Sequence, residues 1–396
     1  MSIQNTIKQL SNDYFNEIVD CRRYLHQFPE LSFEEFETAA FIQKKLFEFG
    51  ITNVKTMANT GTVVLIEGKN PSKKTIALRA DIDALPIVEQ NNVPYKSKIN
   101  GKMHACGHDV HTSCLLGVAK ILNHLKNDFE GTLKLIFQPA EERLPGGASI
   151  LIKEGVLKNP APTHIIGQHV LPQLEVGKVG FISGQYMASA DEITMTVTGK
   201  GGHAAMPHLN IDTVMVTAQI LVALQQIVSR YANPTIPTVL SFGKIAAEGA
   251  FNIIPNEVVA WGTFRTMNET WREQAHQQMK KMAETMAQSM GASCQFFINK
   301  GYPVLYNDPK LTENARQCAK DFLGSSNVVQ LDKWLAAEDF AYYSQKIPAC
   351  FYRLGVRNTA KNITASVHTP TFDADEKALE IGMGLMSYIA LEELKR

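Results

Sequence analysis

The chain has 396 residues, 45% hydrophobic and 20% charged, enough for two domains with a core each, and this composition excludes an intrinsically disordered protein. Thirty-nine basic side chains balance thirty-nine acidic ones and no Lys/Arg run breaks the balance, which excludes a general electrostatic attraction for nucleic acid or anionic membrane and favours a small-molecule or peptide partner. Residues 1–20 are polar and acidic, and no stretch of ~20 uninterrupted apolar residues follows. The six cysteines, Cys21, Cys106, Cys114, Cys294, Cys318 and Cys350, are scattered without framework spacing, so a cytoplasmic protein with free thiols is expected.

Helical apolar spacing runs over residues 4–27 and 33–49, with Pro29 and Ser32 between them and Gly50 as the stop. Residues 61–67 and 74–80 read as short buried strands, and the second leads straight into Asp81-Ile82-Asp83. The densest chemistry follows in Met103-His104-Ala105-Cys106-Gly107-His108-Asp109-Val110-His111, where a thiol, three imidazoles and a carboxylate stand beside a helix start. A helix is expected over 112–125, then a strand over 131–137 running into Gln138-Pro139-Ala140-Glu141-Glu142, then another strand over 164–170. Strand, helix, strand points to an α/β sheet, and each polar cluster falls where a strand finishes, the place where open α/β sheets bind ligands.

Around Gly184 the texture changes. Residues 191–198 alternate like a half-exposed antiparallel strand, and 211–231 form a long amphipathic helix after a Gly-rich turn. Strands over 238–245, 258–266 and 294–299 and a helix over 269–289 complete a two-helix, four-strand α+β unit that reads as an insertion. Regular patterns resume after Tyr302 and carry Glu338-Asp339 and His368-Thr369-Pro370. The expected architecture is an α/β catalytic domain, a mixed and largely parallel sheet flanked by helices, over 1–186 and 304–396. A four-stranded antiparallel sheet with two helices is inserted over 187–303.

Thiolate and imidazole donors suit zinc and its first-row neighbours, and a catalytic site fits better than a structural one because no second Cys pair with finger-like spacing exists. Asp81 and Asp83, at i and i+2, face the same way at a strand end, so one could ligate or orient while its twin tunes a metal-bound group. Glu141 and Glu142 are adjacent, so in an extended segment their carboxylates diverge, one to bind metal and one to reach water. Singly, His169 reads as a core histidine and His368 as a turn residue. Jointly these groups supply enough donors for two metal ions with an open position, the arrangement of two-metal hydrolysis.

The motifs LRADIDALPI (78–87), MHACGHDVH (103–111), QPAEE (138–142), GKGGHAAMPH (199–208) and FNIIPNE (251–257) resemble those of the di-metal amidohydrolases that include aminoacylases, hippurate hydrolase, N-acetyldiaminopimelate deacetylase and auxin-conjugate hydrolases. The resemblance runs nearly end to end, including RRYLHQFPELSFEE (22–35) and VHTPTFDADEKAL (367–379). It implies that Cys106, His108, Glu142, His169 and His368 are metal ligands, that Glu141 is the general base and that Asp83 orients a ligand. A histidine stands in carboxypeptidase relatives where Asp81 stands here, and Cys106 is a feature of this branch. Two divalent cations per subunit are implied, zinc or manganese, with nickel or cobalt also compatible.

The insertion resembles the family's lid and dimerisation domain, in which His203 would hold the scissile carbonyl, and a homodimer through this domain follows as an expectation. Asn252 and Arg265 match positions that face the substrate's carboxylate end, where a guanidinium makes bidentate contacts; a surface charge on an edge strand is the other reading of Arg265. The implied activity is hydrolysis of N-acyl-amino acids or short peptides by a metal-activated water. A dipeptidase, aminopeptidase or carboxypeptidase on the same scaffold is the nearer alternative, and a non-catalytic metal-binding scaffold the more distant one.

Overall fold

A computed structural model describes residues 2–396, and the chain divides into two units. The first comprises Met1–Gly184, Tyr306–Asp332 and Asp339–Arg396. Its eight-stranded sheet runs in the order Val54–Met57, Gly61–Glu67, Thr132–Gln138, Thr75–Asp81, Ile165–Glu175, Ala349–Arg357, Val179–Phe181 and Val328–Gln330. The four strands from Thr132–Gln138 to Ala349–Arg357 are mutually parallel, and antiparallel pairings flank them on both sides. The fold is thus a mixed α/β one around a parallel centre.

Thr75–Asp81 and Thr132–Gln138 are buried along their whole length, as central strands covered on both faces are. A cation inside such a strand needs partners. Lys134 Nζ donates to the carbonyls of Val156 and Lys158 at 2.8 Å and of Pro160 at 2.7 Å, while Arg79 finds its partners at the site described below.

The helices Ile3–Gln27, His108–His124 and Lys377–Lys395 pack on one another. Glycine permits the approach of the last two: a Cβ on Gly382 would lie 2.6 Å from Cys114 Sγ. The helix expected from residue 112 begins at His108 instead. Gly107, with φ +82° and a Cβ position only 2.6 Å from Val170 Cγ2, turns the chain where no side chain fits. His108, Asp109 and His111 therefore stand on the first turn of a helix rather than in a loop. The strand expected to finish near His169 also continues, to Glu175.

The second unit comprises Gln185–Leu305 and Lys333–Glu338. Its sheet, Thr238–Ala247, Glu257–Thr266, Asp191–Thr198, Ser293–Lys300, is antiparallel throughout, and the helices Thr213–Leu224 and Glu269–Ser289 pack against it. Inward Ile193, Met195 and Val197 alternate with more exposed neighbours and meet Val216, Ile220, Trp271 and Met279 in one core. The segment Lys333–Glu338 joins this unit through Trp334 N–H to Tyr186 O at 2.9 Å and Arg265 Nη1 to Leu335 O at 3.0 Å.

The helix expected over 211–231 ends at Leu224, and Ile227–Tyr231 is a wider π turn. By length and composition Thr213–Tyr231 is the one helix among the described residues apolar enough to cross a membrane, though it is not an uninterrupted apolar run. It is interrupted by Gln225, Gln226 and Arg230, and Val216, Ile220, Leu224 and Ile227 are buried in the core of this unit.

Candidate metal centre

Strand Thr75–Asp81, the loop and first turn around Cys106 and His108, the segment after strand Thr132–Gln138, strand Ile165–Glu175 and the His368 loop meet in the first unit. Side-chain donor atoms lie within 4.8 Å of one another in several sets, among them Cys106, His108 and His169; Cys106, Glu142 and His368; His108, Glu141 and Glu142; and Asp81, His108 and His111. The five candidate ligands and the candidate base are thus brought together. Cys106 Sγ is 3.5 Å from His169 Nε2 and 3.3 Å from His368 Nε2.

The backbone aims these rings. His108 Nδ1 donates to Asp83 O and His169 Nδ1 to Val170 O, each at 2.8 Å, which leaves both Nε2 atoms to face the cluster. His368 has φ +63°, and its N–H donates to Ala105 O at 2.7 Å; a histidine held in that conformation is strained, and such strain collects at functional sites.

His108 Nε2 is buried and has no hydrogen-bond partner, a costly state unless something else satisfies it, and Glu142 Oε1 lies 3.2 Å from His368 Nε2. Thiolate, imidazole and carboxylate donors around that orphaned ring nitrogen fit a zinc- or manganese-type cation.

Electrostatics agree with a cluster of closely coupled ionisable groups. Hydrogen bonds with Cys106 and Glu142 push His368 up to about 10. Burial, then the charge of Glu142, pushes the Cys106 thiol above its usual value. Burial, then the Arg353 guanidinium, holds His169 well below the ordinary imidazole value, in the neutral form a metal requires.

Asp83 is buried and supports the site from below. Its Oδ1 accepts Glu141 N–H and its Oδ2 Glu142 N–H, each at 3.0 Å, and Ser32 Oγ donates to Oδ2 at 2.6 Å. Burial disfavours its charge, but the hydrogen bond and charge of His108, with Ser32 and the Glu142 amide, hold its pKa below the ordinary carboxylate value. The segment it grips is not extended. Ala140, at φ +52°, reverses the chain, so Glu141 and Glu142, expected to diverge, both present an oxygen within 4.8 Å of a His108 ring nitrogen.

Asp81 is occupied elsewhere. Arg79 Nη1 lies 2.6 Å from its Oδ2, and Arg79 also reaches Gln138 Oε1 at 2.9 Å and Asp339 Oδ1 at 2.8 Å. Sequence reasoning passed over this network, although a lone Arg in the buried run TIALRAD announces it. It also missed the anchor behind the helix start: Asp109 Oδ2 accepts from Arg22 Nε and His26 Nδ1, each at 2.8 Å, and Arg22 Nη2 donates to Asp373 Oδ1 at 2.7 Å.

The family description "Peptidase family M20/M25/M40" matches residues 77–392. The chain belongs to this family. An N-acetyl-L-cysteine deacetylase of Bacillus subtilis is 40% identical over 96% of this chain and 88% of its own. An N-acyl-L-amino acid amidohydrolase of Geobacillus stearothermophilus is 42% identical over 76% of this chain and 81% of its own. Among solved structures, a dinuclear metal-binding M20 peptidase of Bacillus subtilis matches with TM-score 0.84 at 34% identity, covering 97% of this chain and 99% of that one. The chain is therefore an M20 hydrolase, and its parallel-centred α/β sheet is the fold of that neighbour.

His203, Asn252 and Arg265 lie in the second unit. His203 is exposed, pairs with Ile253 in a two-residue ladder, and accepts Ala205 N–H on Nδ1 at 3.1 Å. Asn252 is exposed, and its carbonyl takes Ala204 N–H at 2.9 Å.

Proposed function

We propose that this M20 enzyme hydrolyses the amide bond of N-acyl-amino acids, with Cys106, His108, Glu142, His169 and His368 holding two divalent cations. The observation that carries the reading is the buried, unpartnered His108 Nε2 set among the Cys106 thiol, the Glu142 carboxylate and two further imidazoles. The named activities of the two curated relatives, both acting on N-acyl compounds, support the substrate class. Divalent cations bound there supply acidified water and a polarised carbonyl.

The chain's own residues do the rest. Glu141, buried and fixed by its amide on Asp83, takes the proton of the attacking water and returns it to the leaving amine. Asp83 holds the backbone of both glutamates and the His108 ring. His203 helps hold the scissile carbonyl, in a role worth roughly 3 kcal/mol by comparison with other oxyanion donors, and Asn252 and Arg265 receive the substrate carboxylate. The second unit serves as lid and dimerisation domain, and the exposed Val214, Met215 and Val222 on Thr213–Leu224 suit a homodimer contact. Six free cysteines suit a reducing, cytoplasmic setting.

A panel of N-acetyl amino acids, N-benzoyl amino acids and unblocked dipeptides, assayed with added manganese or zinc and then with chelator, tests the reading. Blocked substrates are turned over and chelator abolishes the activity. A requirement for a free α-amine would replace this reading with the peptidase one. Glu141→Ala removes turnover while metal content stays near wild type, and near-normal kcat in that variant would refute the base.

A further inference from the structure

Glu35 closes the motif RRYLHQFPELSFEE, to which the proposed chemistry assigns no part. It is fully buried. Thr60 Oγ1 donates to its Oε2 at 2.7 Å, and Ala140 N–H donates to its Oε1 at 2.8 Å. The next two amides, of Glu141 and Glu142, donate to the two oxygens of Asp83 at 3.0 Å each. Three successive N–H groups are thus captured by two buried carboxyl groups. Both carboxyls are served by one short turn, since Ser32, three residues before Glu35 in sequence, donates to Asp83.

This capture has a job to do. Ala140 stands at φ +52°, a region that costs a non-glycine residue roughly 1–3 kcal/mol unless its surroundings enforce it. Asp83 grips the two residues after the reversal, Gly147 N–H takes the Ala140 carbonyl at 2.9 Å, and Glu35 grips the reversal itself. Without that acceptor the Ala140 amide is a buried orphan and the left-handed turn loses the partner on its N–H side.

We propose that Glu35 is a positioning residue, whose buried carboxyl holds the Ala140 reversal and thereby aims Glu141 and Glu142. The inference rests on the roles given to those two glutamates above. The side chain acts through its two polar positions and not through its charge. Burial, then the Asp83 charge, pushes its carboxyl up to about 7, and a neutral amide reproduces the pattern, its oxygen accepting from Ala140 and its NH2 donating to Thr60 Oγ1.

The test compares Glu35→Ala with Glu35→Gln by two readouts, amide hydrogen exchange of the 139–143 segment and steady-state kinetics of the metal-loaded full chain. In Glu35→Ala, exchange in that segment rises about tenfold or more while the strand cores stay protected. Its kcat falls about 10- to 100-fold with KM little changed, the cost of a misplaced catalytic group. Glu35→Gln restores both. Unchanged exchange or unchanged kcat in Glu35→Ala overturns the proposal, as does a Glu35→Gln variant as impaired as Glu35→Ala. Should Glu35→Ala not fold, Thr60→Val decides: it loosens the carboxyl and lowers kcat at constant KM, and no effect on kcat overturns the proposal. A wild-type chain inactive on every amide would sink the functional reading, and the exchange comparison would then decide the role of Glu35 alone.

Discussion

Asp81 Oδ1 and His111 Nδ1 meet at 2.6 Å. The other ring nitrogen of His111 accepts Val170 N–H at 2.8 Å, so the ring is neutral with its proton on Nδ1, and neither nitrogen is left for a metal. Burial, outweighing the Asp81 charge, holds His111 below the usual imidazole value, in keeping with this tautomer. Val170 in turn holds His169 through its carbonyl. In the proposed centre Asp81 and His111 would therefore act on the metal through His169. Asp81→Asn should leave two metals per chain at saturation and weaken affinity about 10- to 100-fold, the usual effect of losing a group that orients a ligand. Loss of one full metal equivalent, measured by elemental analysis after dialysis against excess manganese, would make Asp81 a ligand instead.

Cys106 belongs to two donor sets, one with His108 and His169 and one with Glu142 and His368, so its loss should be felt by both cations of the proposed centre. Metals compete with protons for thiol and imidazole, and the Cys106 thiol and His368 are both pushed up in pKa. Metal affinity of the wild type should accordingly rise with pH between about 6 and 8. Cys106→Ser should reduce occupancy with little change in far-UV circular dichroism. Titration with manganese at several pH values checks both statements, and wild-type stoichiometry and affinity in the variant would remove Cys106 from the ligand set.

Much of this centre is legible in the sequence because its donors sit where pattern reading is strong. Cys106, His108 and Glu142 lie beside the end of an apolar strand or at a helix start, His169 lies within an apolar strand, and runs such as TIALRAD and TLKLIFQ need no tertiary information to be recognised. The illegible part is buried charge. Arg22 and Glu35 stand in polar, charge-rich stretches of sequence, and Asp109 among the histidines, yet all three are fully buried. Their partners are remote in the chain: Arg22 meets Asp109 and Asp373, which are 87 and 351 residues away. Periodicity reports which face is apolar, not which distant carboxylate waits behind it. The reversal at Ala140 is invisible for a similar reason, since the remote carboxyls of Glu35 and Asp83, with the Gly147 amide, hold an alanine in a conformation that local sequence disfavours.

Gly147 faces that same reversal. A Cβ there would lie 1.8 Å from Pro139 O, far inside contact distance, and backbone cannot yield as a flexible side chain does. The clash falls on the residue just before Ala140, whose carbonyl the Gly147 amide holds. Gly147→Ala should displace Glu141 and lower kcat about 100-fold or more, while the second unit, to which Gly147 does not belong, keeps its stability. Kinetics beside a thermal melt checks this, and a variant with wild-type kcat would show that the segment adapts freely.

Asp191 carries the ion pair of the second unit. Its carboxylate meets Arg272 Nη2 and Nε at 2.5 and 2.9 Å and His276 Nε2 at 2.7 Å, all but shut off from water on the Asp191 and Arg272 side. Burial opposes its ionisation, but hydrogen bonds from His276 and Arg272 and the guanidinium charge hold its pKa below the unfolded value of 3.8. A depressed acid stabilises the fold above its unfolded pKa, and the contribution is lost as pH falls through the lower folded value. Asp191→Asn strands a buried guanidinium, which retains Glu269 and the Gly301 carbonyl, so a loss of about 3 kcal/mol is expected at pH 7, the low end for breaking a buried pair. All three tryptophans, Trp261, Trp271 and Trp334, lie in this unit, so their fluorescence during urea unfolding reads its stability separately. The gap between wild type and variant should be full from pH 5 to 7 and narrow below about pH 4. A gap that stayed constant down to pH 2.5 would mean that the Asp191 charge contributes nothing to the pair.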